Sequence, residues 1–143
     1  MPSESSVDYL NRLLRIIYRS LPMYLVNTSP WTSQSDARAE AVLKQLVADA
    51  KRYSQKIAET ILDRNGVIEM GSFPIEYADV HDLSLDFLIG ELIEAQSRDV
   101  VAIQRVVDAL ARDRAAKALA EEVLGNAKGH LESLEELNHA PAA

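Results

Sequence analysis

Cysteine is absent from the 143-residue chain. That excludes disulfides, thiolate catalysis, cysteine-bound zinc and iron–sulfur clusters. Glycine and proline are scarce, with five of each against a hydrophobic content of 48%. This balance suits a helical globular chain, long enough to bury a sizeable core as one domain over residues 1–143, better than disorder. Positive charge is in deficit, 15 Lys and Arg against 22 Asp and Glu, for a net charge of −7. No basic stripe is left to neutralise nucleic-acid phosphates or to hold an anionic membrane surface. No apolar run approaches the length of a membrane span. The opening MPSESSVDYL lacks the positive n-region and small-residue cleavage site of a signal peptide, so a cytoplasmic location is the expectation. There is no Gly-rich phosphate loop, and no serine stands at a useful spacing from a histidine.

What remains is helical periodicity. Val7, Leu10, Leu13, Leu14, Ile17, Leu21 and Tyr24 form a broad apolar stripe over residues 5–28, with Ser5 or Ser6 as cap and Asp8 in the first turn. Pro22 lies within the stripe and predicts a kink. Ser29 and Pro30 mark a turn, and Trp31 beyond it reads as a hydrophobic anchor. A second helix, 36–65, carries Ala39, Leu43, Leu46, Ala50, Tyr53, Ile57 and Ile61 at alternating spacings of four and three, begins at Ser35 or Asp36, and stops at Asn65 and Gly66. Its length is about 40 Å at ~1.5 Å per residue. Val67 to His81 holds Gly71 and Pro74 and no sustained period, so it reads as a long connection. The third helix, 83–110, is capped by Asp82 or Ser84 and places Leu85, Leu88, Leu92, Ala95, Ala102, Val106 and Ala109 on one face, with Glu91 beside them. The fourth, 113–138, carries Leu119, Val123, Ala127, His130, Leu134 and Leu137 on its seam. The expected fold is therefore all-α: a four-helix bundle with short, long and short links, the long one crossing the bundle between helices 2 and 3.

An ionisable ring at His130, amid an apolar seam, needs a polar partner from another helix. Elsewhere, the Asp79, His81 and Asp82 cluster reads as a solvated cap rather than a metal site, and His139 lies in the tail. Glu121, Glu122, Glu132, Glu135 and Glu136 form a solvated face.

Over residues 8–137 the chain resembles the ferritin-like family, bacterioferritins most closely. LNRLLRIIYRSLPMYL at 10–25 is similar to their first helix, GELIEAQ at 90–96 to the third-helix segment around a metal-binding glutamate, and GHLESLEEL at 129–137 to the fourth-helix segment around a metal-binding histidine. The resemblance implies a di-iron centre built from one Glu on each of two helices and a Glu-x-x-His pair on each of the other two. Carried over by position, those ligands become Ile17 on the first helix, Ala50 and Tyr53 on the second, Glu91 on the third, and Ala127 and His130 on the fourth. Only Glu91 and His130 keep ligand chemistry, too few for a di-iron pair. A register slip brings in Asp49 or Tyr18 without restoring the set, and Glu94 points toward the bundle edge. The position of the haem-ligating methionine falls at Lys51, so haem is not implied.

The sequence thus leads to a ferritin-like protein with a degenerate di-iron site, non-catalytic, with a structural or interaction role. Ile17, Ala50 and Ala127 fill the former centre, and Glu91, His130 and the Tyr53 hydroxyl form a buried polar cluster. The alternative is an iron-storage or oxidase protein binding iron or another divalent metal through Glu91, His130 and further ligands. A third reading has the emptied centre take a small apolar molecule. Ile16, Ile17, Leu13, Leu14, Leu21, Met23 and Leu25 spread beyond a narrow stripe, and the resemblance makes a homodimer through helices 1 and 2 the expectation, with an unnamed protein partner open.

Overall fold

A computed structural model describes residues 5–28, 37–80 and 85–139. Trp31, His81, Asp82 and the caps expected at Ser35, Asp36 and Ser84 lie outside these residues. The described chain is helical, with α1 (Ser6–Tyr18), α2 (Leu21–Thr28), α3 (Ala37–Asp63), α4 (Leu85–Ala109) and α5 (Arg114–His139), plus a 3₁₀ helix at Ile75–Val80. No described helix is long and apolar enough to cross a membrane.

The first predicted helix is two. Helix α1 starts on a capping box: the Asp8 amide donates to Ser5 Oγ at 3.3 Å and the Ser5 amide to Asp8 Oδ2 at 2.9 Å. It ends at Tyr18, and α2 starts three residues later with Pro22 in its first turn. Proline has no amide to continue the α1 ladder, and its ring crowds the preceding turn, so the helix breaks rather than bends. Helix α3 closes at Asn65, whose φ of 58° is left-handed. The Gly66 amide donates to the Ile61 carbonyl and the Asn65 amide to that of Leu62, each at 2.9 Å. Gly66 is needed for closeness instead: a Cβ there would stand 2.6 Å from Val7 Cγ1 on α1.

Helices α4 and α5 pack together most extensively, α1 packs on α3, and the pairs α3–α5 and α1–α4 complete a square. Helix α2 prolongs the α1 corner, touching α3 and α4. The diagonals α1–α5 and α3–α4 have little contact. Arg64 at the end of α3 meets Asp113 at the start of α5 through Nε–Oδ2 at 2.8 Å and NH2–Oδ1 at 2.7 Å, so α3 runs antiparallel to α5. A tight turn after Ala109 makes α4 antiparallel to α5 as well. Consecutive helices α3 and α4 are therefore parallel and diagonal, and the link between them must climb the whole bundle.

It does so along α1. Asn11 is buried; its Nδ2 donates to the Val67 carbonyl at 2.8 Å and its Oδ1 accepts from the Glu69 amide at 2.7 Å. Arg15 NH1 donates to the Glu69 carbonyl at 3.3 Å, and Arg19 Nε to the carbonyls of Met70 and Gly71 at 3.2 and 3.1 Å. Higher up, the Tyr24 ring meets Phe73 edge-on at 5.4 Å and Tyr77 at 5.8 Å.

Two apolar clusters fill the bundle. The lower joins Leu10, Leu13, Leu14, Ile57, Ile61, Ile103, Val106 and Leu110 to the start of α5. The upper joins Leu21, Leu25, Leu43, Leu46, Leu88, Leu92 and Leu134. The α4 seam differs from the predicted one: Ile103, Val107 and Leu110 are buried, Ala102 is half-buried, and Ala109 is exposed. The wide apolar arc of α1 is used within the chain. Leu13, Leu14, Leu21, Met23 and Leu25 are buried, and Ile16 and Ile17 pack on the lower cluster.

Asp113 also caps α5 by accepting from the Ala116 amide at 3.1 Å. The Arg64 guanidinium beside it, with help from Ser6, holds its carboxyl well below the usual carboxylate range. Asp113→Ala is expected to cost about 2 kcal/mol at pH 7, as a lost cap and an unpaired guanidinium together. Because the folded pKa is depressed, this stabilisation is present above the ordinary carboxylate pKa of about 4 and is lost as pH falls below it. Urea unfolding at pH 7 and pH 2.5 tests this: the gap between parent and variant should shrink at the lower pH, and a constant gap would assign the loss to packing.

Candidate functional site

Between the two apolar clusters lies a polar level. A cavity of about 40 Å³ there is lined by Ile17, Ser20 and Pro22 from the α1–α2 corner, Ala50 and Tyr53 from α3, Gln96 and Asp99 from α4, and Asn126, Ala127 and His130 from α5, among others. At ~10–15 Å³ per water this is room for about three or four water molecules. It is far smaller than the ~150 Å³ apolar cavity that takes benzene. The α1–α2 break falls at this level, which brings Ser20 to the cavity wall.

The His130 ring finds its partner on α3. Its Nε2 lies 2.8 Å from Asp49 Oδ2, and both side chains are nearly enclosed, at 13% and 11% exposure. Asn126 Nδ2, one turn earlier on α5, donates to the same oxygen at 3.0 Å. Asp49 Oδ1 accepts from Gln45 Nε2 at 3.0 Å and lies 3.4 Å from Arg52 NH2. Burial by itself would raise the Asp49 pKa, but the Asn126 and Gln45 amides and the His130 ring outweigh it and hold the carboxyl below its ordinary value. Gln96 adds a second tie across the level, donating from Nε2 to the Ala127 carbonyl at 3.0 Å.

The expected cluster of Glu91, His130 and Tyr53 is thus only partly assembled. Tyr53 and His130 line one cavity, together with Ile17, Ala50 and Ala127. Glu91 is half-buried outside it and makes no hydrogen bond or ion pair among the described residues. His130 meets Asp49 in place of Glu91. The physical reason is register on α4: the residues facing the cavity are Gln96, Asp99 and Ile103, between one and just over three turns beyond Glu91. The Tyr53 ring packs under cations, with Arg52 Cζ 4.5 Å and Lys56 Nζ 5.6 Å from its centroid. Glu94 is exposed, as its predicted place on the bundle edge requires.

Gln96, Asp99 and Asn126 are the site residues that sequence reasoning missed, and Asp49, which it brought in only through a register slip, is the partner of His130. Asp49 stands three residues after Leu46 and four before Tyr53, squarely on the α3 seam, and that spacing was the signal for it. Asp99 fills the gap between Ala95 and Ile103 on the α4 seam in the same way. Its carboxyl has no hydrogen-bond partner among the described residues, and burial, offset in part by Arg98, pushes its pKa up to about 7. The cavity therefore carries an oriented imidazole and a carboxyl whose charged form burial disfavours. No serine hydroxyl among the described residues bonds to His130, so a nucleophile with its base is not assembled. Among these residues no three His, Cys, Asp or Glu side chains are grouped to hold a metal ion.

Asp99 makes a directional prediction. A raised carboxyl pKa stabilises the fold below the ordinary value of about 4, and that contribution is lost as pH rises through about 7. Asp99→Asn cannot ionise, so it should gain on the parent as pH rises. Thermal melts should show the variant several degrees better off at pH 8 than at pH 5, an effect on the order of 1–2 kcal/mol. The same difference at both pH values would mean that Asp99 is solvated in the fold.

Compared with known proteins, the chain matches no family model, no curated protein and no solved structure.

Proposed function

We propose that this chain is a ferritin-like four-helix bundle whose metal centre has been replaced by a small polar cavity. In this reading it is non-catalytic and serves a structural or interaction role, as a homodimer. One observation carries the reading. Ile17, Ala50, Tyr53, Ala127 and His130, five positions that the resemblance assigns to metal ligands, line a single cavity at mid-bundle. Only His130 of these retains metal-binding chemistry, and its Nε2 is already engaged by Asp49. The parallel, diagonal α3 and α4 with a full-length crossover between them agree with the same architecture.

The alternative is metal binding for storage or oxidase chemistry through Glu91, His130 and further ligands, although Glu91 lies outside the cavity and His130 is engaged by Asp49. Aerobic loading with iron(II), removal of loose metal and mass spectrometry of the bound metal decide between them. The expected result is no retained iron in either the parent or Asp99→Ala/His130→Ala protein. About one or two irons per chain in the parent and none in the variant would replace the non-catalytic reading by the metal-binding one.

The homodimer has separate support. Leu62 at the end of α3 and Val67 and Ile75 in the crossover are exposed by 58%, 73% and 88%. Leu62 stands near the end of α3, and Val67 and Ile75 near the two ends of the crossover that follows it; association along that edge would cover them. Light scattering behind size exclusion should give twice the 15.8 kDa chain mass, falling to the single mass in Val67→Asp/Ile75→Asp protein. A parent of single mass would remove the dimer from the proposal.

A further inference from the structure

The chain is acidic overall, yet α1 carries Arg12 and Arg15, with Arg19 at its C-cap, at spacings of three and four that place them along one side. The crossover passes along it. A groove of about 310 Å³ results, lined by these arginines with Ile16, by Ser72, Pro74 and Tyr77 of the crossover, and by Asp99 of α4. Its size is at the lower end of small-molecule clefts, ~300–1,000 Å³.

The guanidiniums are held in place before any ligand arrives. Arg19 lies between two rings, its Cζ 5.0 Å from the Tyr18 centroid and 4.9 Å from that of Phe73. Its Nε is spent on the Met70 and Gly71 carbonyls, while its two terminal nitrogens make no hydrogen bond among the described residues. Arg15 is anchored through NH1 to the Glu69 carbonyl, with the Glu69 carboxylate at 3.9 Å. Arg12 stacks on Tyr9 with its Cζ 5.2 Å from the centroid. Stacked, tethered guanidiniums lose little freedom on binding, and their planar donors match the oxygens of phosphate. Three cations border the groove against the Glu69 carboxylate beside Arg15 and the Asp99 carboxyl in its lining, and the remaining positive excess favours an anion. The Ser72 and Tyr77 hydroxyls can add hydrogen bonds, and the Ile16, Pro74 and Tyr77 surfaces offer an apolar wall for an organic body.

We propose that this groove binds a small phosphate monoester, with the phosphate on Arg12, Arg15 and Arg19 and the organic group against Ile16, Pro74 and Tyr77. The site is distinct from the mid-bundle cavity, although Asp99 borders both. The proposal does not depend on the ferritin-like reading.

Calorimetric titration of the full chain at low ionic strength tests it, with phenyl phosphate, inorganic phosphate and benzyl alcohol as separate probes. Phenyl phosphate should bind at one site per chain, about fivefold or more tighter than inorganic phosphate, and benzyl alcohol should give no saturable heat. Arg12→Gln/Arg15→Gln should weaken phenyl phosphate by about tenfold or more, and Asp99→Asn, which removes a negative charge from the groove, should tighten it at pH 8. Helical content by circular dichroism checks that the double variant is folded, and the single Arg12→Gln, which leaves the Arg15 and Arg19 tethers in place, should show part of the same loss. No saturable binding of either anion by the parent would overturn the site. Equal affinity for the two anions would overturn the ester assignment, and undiminished binding by the folded double variant would overturn the location.

Discussion

The architecture depends on how an extended segment satisfies its backbone. Residues 66–74 have no regular secondary structure, yet they must travel the length of the bundle because α3 and α4 are parallel and diagonal. Buried peptide groups without partners cost more than a packed loop can return. The partners come from α1: Asn11 supplies both a donor and an acceptor, and Arg15 and Arg19 supply donors. The same side chains that fasten the crossover also build the basic wall of the outer groove. A surface feature with binding chemistry is thus a by-product of a topological need.

The interior follows a different logic. Apolar clusters above and below are separated by a level where every long helix contributes something polar. Most of that level is satisfied: Asp49 alone collects Gln45, Asn126 and His130. A satisfied network spanning α3 and α5 constrains register along the helices, which uniform apolar packing does weakly. Asp99 is the exception, since its charge is opposed by burial, and it sits where the cavity and the groove adjoin. Such a cost is tolerated in native proteins where a group has work to do, and here it falls at the junction of the two candidate sites.

Much of the fold was legible from spacing. The α3 and α5 seams hold at Leu43, Leu46, Tyr53, Ile57, Ile61, Val123, Ala127 and Leu134, all buried, while Ala50, Leu119, His130 and Leu137 are half-buried. Ser5 caps α1, and Pro22 marks the break before it is seen. The α4 seam was misread because small residues blur a periodic pattern: Ala102 and Ala109 were counted as core while Ile103 and Val107 carried it. The site's place on α4 is a separate matter: the resemblance supplied Glu91, whereas Gln96 and Asp99 line the cavity. The Asp49–His130 contact spans 81 residues of sequence and joins two helices, so spacing within either helix cannot reveal it. The arginine groove was hidden for a related reason: part of its lining belongs to a stretch with no period at all.

The fastening of the crossover has a metric consequence. Along α1, successive attachments at Asn11, Arg15 and Arg19 are four residues apart, about 6 Å at ~1.5 Å per residue. Along the crossover they fall at Val67 and Glu69, then Glu69, then Met70 and Gly71, a step of one to two residues, or roughly 3–7 Å in extended chain. The two ladders stay in step only because an extended residue covers about twice the distance of a helical one. A connection of this kind does not absorb length changes as surface loops do. A single inserted residue between Val67 and Gly71 would carry each downstream carbonyl past its guanidinium, whereas one added after Pro74 would meet no such ruler.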